Sequence, residues 1–195
     1  CLSHLYKYSD YITINISSPN TEGLRNFHEK NLMDQLLEKL SQLKKKKNIN
    51  KPIVIKLSPD INEKEISMII ELIFKYKIDG IIISNTSDTN REKLVDNKKS
   101  EEGGLSGLPI KDLSTQMIKK FYKEVKKKIP IIGVGGVDSG PSAFEKIIAG
   151  ATAVQLYTGM VYKGPGIVKE IKKDLISTLK KEKIKKIGDA VGINA

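Results

Sequence analysis

Short β-branched runs alternate along this chain with longer segments of helical periodicity, and this alternation constrains the fold more than any other feature. In the segment 62–76, for example, isoleucines recur from Ile66 at i, i+3, i+4 and i+7, which is one face of a helix. Strands that alternate with helices predict a parallel sheet with right-handed crossovers. The predicted strands are 11–16, 52–57, 80–84, 130–134 and 153–157, and the predicted helices are 30–46, 62–76, 111–127, 141–149 and 166–181.

The carboxyl ends of the predicted strands decide between an open doubly wound sheet and a TIM (β/α)8 barrel. All five ends carry polar side chains or glycines, which favours one shared site on one rim, as in a barrel. We therefore expect an α/β fold in which residues 1–195 are the C-terminal part of a single barrel domain and supply about its last five βα units. About three more units, with their strands, would precede them. The residues at these ends are Asn15, Ser17, Ser18, Lys56, Ser58, Ser84, Asn85, Thr86, Gly135, Gly136, Tyr157 and Thr158.

The charge balance is strongly basic but does not indicate a nucleic-acid partner. The net charge is +11, from 34 basic and 23 acidic residues, and only Arg25 and Arg91 are arginines. Nucleic-acid binding usually brings a cluster of arginines, interleaved aromatic residues or a known module, and this sequence shows none of these. The lysine runs are expected to be solvated surface, with a weak attraction to anionic lipid as the alternative. A single cysteine, Cys1, excludes an internal disulfide, and no apolar run is long enough to span a membrane.

Two glycine-rich segments are candidates for ligand binding. The segment GVGGVDSG, residues 133–140, follows a strand and leads into a helix, but its glycine spacing departs from the dinucleotide fingerprint. It fits the phosphate-binding turns of a barrel better, where backbone N–H groups hold the anion, and Gly159 lies in a similar turn one strand later. The segment GGLSG, residues 103–107, could cover a ligand or simply be flexible.

Lys56 and the segment NISSPN, residues 15–20, are the other candidates, and each keeps an alternative. Lys56 lies inside an apolar strand, where it would either face an anion or an electron-rich cofactor or extend its ammonium to the rim. The segment NISSPN either brings the buried side-chain amide of Asn15 to a binding site or forms only a turn. His4 and His28 are isolated and receive no catalytic role, and no cluster with metal-ligand spacing is present.

Taken together, six ordered motifs make the chain resemble the class 2, quinone-dependent dihydroorotate dehydrogenases. They are NISSPNTEGLR (15–25), VIKLSPD (54–60), IDG with SNT (78–80 and 84–86), GGLSG (103–107), PIIGVGG (130–136) and AGATAVQLYT (149–158). The resemblance covers essentially the whole chain. It implies a flavoenzyme that oxidises dihydroorotate to orotate through FMN and passes the electrons to a membrane quinone in pyrimidine biosynthesis.

The resemblance also assigns roles to individual residues. Ser18 corresponds to the catalytic base, which is a cysteine in class 1 relatives, and Thr21 to a proton relay. The substrate-binding residues would be Asn15, Asn20, Asn85 and Thr86. The FMN-binding residues would be Asn15, Lys56, Ser84, Gly107, Gly136, Tyr157 and Thr158. No metal is implied.

The implied location is the periphery of a membrane. Family members contact it through N-terminal helices, which also form the quinone tunnel and are not recognisable in this sequence. We expect the cytoplasmic side of a bacterial inner membrane, or the mitochondrial inner membrane if the source is eukaryotic. On its own, the 195-residue chain is expected to be inactive. The alternatives are another FMN barrel oxidoreductase of the class 1 type and a non-catalytic ligand-binding barrel.

Overall fold

The structure, a computed structural model, describes residues 1–89, 91–92 and 94–195. Its five strands form one parallel sheet in chain order. All five predicted strands and all five predicted helices are present. The strands are β1 (Ile12–Asn15), β2 (Ile53–Leu57), β3 (Gly80–Ile83), β4 (Ile131–Val134) and β5 (Ala153–Gln155). The α-helices are α1 (Leu2–Leu5), α2 (Lys30–Lys46), α3 (Glu63–Lys75), α4 (Lys111–Val125), α5 (Gly140–Ile148), α6 (Thr158–Lys163), α7 (Ile167–Lys181) and α8 (Ile187–Ala190).

Local side-chain chemistry fixes where two of the helices, α3 and α5, begin. At the start of α3, Asn62 Oδ1 accepts from the Glu65 amide at 3.1 Å while the Asn62 amide donates to Glu65 Oε2 at 2.6 Å. This reciprocal capping box satisfies two amides that the helix itself cannot pair. Ser139 caps α5 in the same way, and Pro141 occupies its first turn, where a missing N–H costs nothing.

The two faces of the sheet differ sharply in what they contact. The outer face carries Ile55, Ile81 and Ile131, which are fully buried against the helices in the main hydrophobic core. The inner face carries Lys56, which pairs with Asn15 on β1 and with Ile82 on β3, and paired residues of parallel strands share a face.

Burial on both faces, which the apolar strands predict, is found for β2 and β3 but not for the end strands. Thr13 and Asn15 on β1 and Ala153 on β5 are exposed, because no element in the described part of the chain covers the inner face there.

The sheet curls toward its inner face. Gln155 on β5 lies 3.5 Å from the hydroxyl of Tyr11, which directly precedes β1, across three intervening strands. In a flat sheet these two strands would be about 19 Å apart, at roughly 4.8 Å per strand. Their side chains meet only because the sheet bends into an arc, as the predicted barrel requires.

Candidate active site

A cavity of about 200 Å³ opens at the carboxyl ends of β2 to β5. It collects six of the seven residues predicted to bind the cofactor, and two of those predicted to bind substrate. Parallel strands bring their carboxyl ends to one rim, so side chains that are distant in sequence converge there. The predicted residues on its wall are Lys56, Ser84, Asn85, Thr86, Gly107, Gly136, Tyr157 and Thr158.

Lys56 reaches this cavity from the inner face of β2. It is half-buried, and burial lowers the pKa of its ammonium below the ordinary lysine value. Among the residues that the structure describes, none forms a hydrogen bond or ion pair with the Lys56 ammonium. An ammonium that has lost water without gaining a carboxylate is poised for an anionic or electron-rich ligand.

Glycines let two loops close around the cavity. Gly107 has a φ of 76°, and a Cβ there would come within 2.9 Å of Thr158 Cγ2. Gly136 has a φ of 72°, and a Cβ there would lie 2.5 Å from the Cβ of Lys111. Both positions therefore need glycine for conformation and for space. Ser106 and Thr158 join the two sides through a hydrogen bond between their hydroxyl oxygens at 3.0 Å.

An amide network lies beside the cavity at the ends of β1 and β3. Asn15 Oδ1 accepts from the Ser17 hydroxyl at 2.9 Å and from Asn85 Nδ2 at 3.3 Å. Asn85 Nδ2 also donates to Ser17 Oγ at 3.0 Å, and Asn85 Oδ1 accepts from the Thr86 amide at 2.8 Å. The segment NISSPN is therefore more than a local turn, because its side chains bond to the end of β3, two strands away in the sheet.

Ser18 and Asn20 do not line the cavity. They lie further along the β1–α2 loop, where the half-buried Ser18 accepts a 3.3 Å hydrogen bond from the Asn20 amide. Asn20 is exposed and borders a separate cleft of about 740 Å³, between this loop and the β3–α4 loop. Asn15, the seventh residue predicted to bind the cofactor, does not line the cavity either; Asn15 and Ser17 reach its wall only through their hydrogen bonds to Asn85.

Sequence reasoning missed a group of polar residues at the same rim. Asp60 accepts hydrogen bonds from Arg25, Ser87 and Thr89, and so joins the loops that follow β1, β2 and β3. From the sequence, no role is assigned to Arg25 or Asp60, which appear there only as members of the motifs NISSPNTEGLR and VIKLSPD. The available signal was that Arg25 is one of only two arginines in a chain whose other basic residues are lysine.

The sequence of this chain matches a family model described as dihydroorotate dehydrogenase over residues 1–179. The chain belongs to the dihydroorotate dehydrogenase family. Two relatives are named dihydroorotate dehydrogenase (quinone). The Idiomarina loihiensis protein is 45% identical over 175 residues, which cover 88% of this chain and 52% of that protein. The Trichodesmium erythraeum protein is 44% identical over 192 residues, which cover 94% of this chain and 50% of that protein.

The fold matches the dihydroorotate dehydrogenase family as well. A crystal structure of DHODH from Eimeria tenella in complex with ferulenol superposes with a TM-score of 0.94 at 30% identity. The match covers 99% of this chain and 56% of that one. The predicted barrel class is therefore confirmed, and the chain spans about half the length of the curated relatives it matches. In the described ranges, no helix has the length and apolar character needed to cross a bilayer.

Proposed function

We propose that the protein containing this chain oxidises dihydroorotate to orotate with FMN and passes the electrons to a membrane quinone. The supporting observation is the convergence of Lys56, Ser84, Gly107, Gly136 and Thr158 on one rim cavity in a dihydroorotate dehydrogenase fold. Relatives named as the quinone-dependent enzyme support the choice of electron acceptor.

The wall of the cavity fits one end of FMN in charge and in size. Lys56 offers an unpaired ammonium. In the part of the chain that the structure describes, the backbone N–H groups of Gly136 and Gly159 have no hydrogen-bond acceptor. Backbone N–H groups of this kind hold phosphate well. Whole ligand pockets typically measure about 300–1,000 Å³, so a 200 Å³ cavity suits one end of the cofactor rather than all of it. The exposed inner face of the arc offers further room.

Different residues of this chain are proposed to bind the substrate and to transfer its proton. FMN, when bound, supplies the hydride acceptor, which no side chain can provide. The Asn15, Asn20 and Asn85 amides offer donors and acceptors that match the alternating C=O and N–H groups of the substrate ring. Ser18 takes the proton from the substrate carbon. A hydroxyl is a weak base, so it must pass the proton on, and the proposed relay to solvent is Thr21, an exposed residue of the same loop.

The chain is proposed to be the C-terminal part of a single FMN-binding barrel. It spans about half of its relatives, and β1 and β5 each have an unpaired edge and exposed inner-face residues within the described structure. Strands from the rest of the polypeptide would pair with those edges and cover that face. Membrane contact and the quinone site are assigned to the remaining part, at the inner membrane on its cytoplasmic side if the source is bacterial.

The test is a Ser18→Ala variant of the protein expressed from its complete reading frame. We expect FMN to remain bound and dihydroorotate oxidation at neutral pH to fall by about 10²- to 10⁴-fold, the usual contribution of a general base. Ser67→Ala is the matched control, because Ser67 is exposed on α3 and its hydroxyl bonds, within the described ranges, only to the Glu63 carbonyl of its own helix. Unchanged turnover in Ser18→Ala would remove Ser18 from the mechanism, and a wild type without dihydroorotate oxidation would favour the ligand-binding alternative.

A further inference from the structure

We propose that Arg25 and Asp60 act as positioning residues for dihydroorotate oxidation. Their contacts, here named the rim clamp, hold the β1–α2 loop that carries Ser18 against the β3–α4 loop that carries Asn85 and Thr86. This inference rests on the proposed function for the role of Ser18, whereas the clamp itself rests on contacts in the structure.

Arg25 makes four contacts with one planar guanidinium group. Nη2 donates to Asp60 Oδ2 at 3.1 Å and to the Thr86 carbonyl at 3.2 Å, and Nε donates to the Ser17 carbonyl at 3.5 Å. Nη1 pairs with Asp88 Oδ1 at 2.7 Å, and this hydrogen bond holds the pKa of Asp88 below its usual range. The carbonyls that it holds belong to the residues next to Ser18 and Asn85.

Asp60 completes the clamp from the loop between β2 and α3. Its Oδ1 accepts from the Ser87 hydroxyl at 2.6 Å and from the Thr89 hydroxyl at 2.9 Å. Its Oδ2 accepts from Arg25 at 3.1 Å and from the Asp88 amide at 3.3 Å. The Asp60 side chain is only 11% exposed, so these bonds form away from bulk water, where ionic hydrogen bonds are strong.

The geometry requires arginine at position 25 rather than any cation. A guanidinium offers five donors in a rigid fork, whereas an ammonium is a compact point charge that cannot span the same set of acceptors. Apart from Arg25, the chain has one other arginine, Arg91, and the remaining members of its Lys+Arg total are all lysines. Among the residues that the structure describes, Arg91 bonds only within its own loop, to the carbonyls of Lys99, Glu101 and Gly103, and so provides a matched comparison.

Positioning matters here because Ser18 and the substrate-binding amide of Asn85 lie on different loops. Asn85 meets Asn15 and Ser17 through side-chain bonds of 3.0–3.3 Å. A loop shift of about 1 Å at a reacting group costs roughly 100-fold in rate. The rim clamp therefore acts on the step in which substrate loses its hydrogens and leaves the quinone step untouched.

The test uses Arg25→Lys and Asp60→Asn in the protein expressed from its complete reading frame. Stopped-flow absorbance separates flavin reduction by dihydroorotate from reoxidation by quinone. We expect reduction to slow by roughly 10- to 100-fold in both variants, with reoxidation and flavin content unchanged. Asp34→Asn is the control. Like Asp60, Asp34 is a carboxylate that accepts from a cation and a hydroxyl, here those of Lys75 and Tyr76, but it joins α2 to α3 and lies away from the rim clamp.

Hydrogen exchange provides a readout that does not depend on turnover. Amides of residues 17–25 and 86–89 should exchange faster in both variants, whereas Arg91→Lys should leave residues 17–25 at the wild-type rate. Wild-type reduction in Arg25→Lys would show that charge alone suffices and would overturn the proposal. Equal slowing of both half-reactions, or loss of flavin, would indicate a general folding role and would overturn it too. If the wild type itself fails to oxidise dihydroorotate, the proposed function fails, and exchange still tests the clamp.

Discussion

Replacing Gly136 with alanine tests whether the rim cavity depends on close backbone packing. Gly136 follows β4 with a φ of 72°, and the added Cβ would meet Lys111 at 2.5 Å from its Cβ and 2.8 Å from its Cα. Lys111 is the first residue of α4, so the clash involves helix backbone and cannot be relieved by a rotamer change.

The expected cost has two parts. A left-handed conformation costs a residue with a Cβ about 1–2 kcal/mol, and overpacking against a fixed neighbour adds about 1–3 kcal/mol. Gly136→Ala should therefore lower the free energy of unfolding by about 2–5 kcal/mol. Most domains have a free energy of unfolding of about 5–15 kcal/mol and so stay folded after such a loss. Since the backbone must shift to fit the methyl group, FMN affinity should fall as well. Urea denaturation and flavin fluorescence titration of the full-length protein measure the two effects.

Gly164→Ala is the matched control. Gly164 has the same φ of 72° with a ψ of 176°, a combination rare outside glycine, and nothing lies within 4 Å of its Cβ position. It therefore isolates the backbone cost, about 1–3 kcal/mol, without a clash. We expect Gly164→Ala to retain FMN and to be less destabilising than Gly136→Ala. Equal destabilisation together with unchanged FMN binding in both variants would refute the close-packing argument.

The half-buried Lys56 and the buried Lys146 lead to further predictions. Because burial lowers the pKa of Lys56, Lys56→Met should raise the free energy of unfolding of the flavin-free protein while weakening FMN binding; a variant that binds FMN normally would contradict the assigned role. Burial lowers the pKa of Lys146 from 10.5 to about 8, so between these values the unfolded chain binds more protons than the folded one. The free energy of unfolding should rise with pH across that window by up to about 3 kcal/mol, and Lys146→Met should lack the rise. Urea denaturation on both sides of the window measures the difference, and equal pH dependence in the two proteins would count against a buried ammonium.

The main elements could be predicted because each is fixed by local periodicity. The isoleucines of α3 repeat on one face, and Asn62 with Glu65 marks its start, so pattern and capping agree. The short helix α6 was missed because its six residues begin with Thr158 and Gly159, which are poor helix formers, and are too few to show a period. The exposure of Thr13 and Ala153 was missed because a β-branched or small residue has the same sequence signature whether or not another layer covers it.

The site could be predicted only where it follows directly from strand ends. Lys56, Ser84 and Gly136 stand at the carboxyl ends of strands, and topology alone brings these ends together. The bond of Arg25 to Asp60 spans 35 positions, and its bond to the Thr86 carbonyl spans 61, through loops whose paths no period describes. Ser18 owes its assignment to the family resemblance.

Lys146 shows a further limit of sequence reasoning. Its ammonium donates to the Lys111 carbonyl at 3.2 Å and to the Thr115 hydroxyl at 3.0 Å, and the whole side chain is buried between α4 and α5. In a chain so rich in lysine, nothing distinguishes this one from a solvated neighbour before the helices are packed. The space it fills depends on Gly133, where a Cβ would come within 3.2 Å of Lys146 Cδ.

Stability and site chemistry are assigned to opposite faces of the same sheet. On β2, Ile55 points into the helix-covered core and is fully buried, while the next residue, Lys56, carries a half-buried and unpaired ammonium on the inner face within the described structure. Because side chains alternate strictly along a strand, a one-residue slip in the β2 register would exchange these two roles, placing an ammonium in the core and an isoleucine at the cavity. Selection for the site and selection for the fold therefore act on the same register.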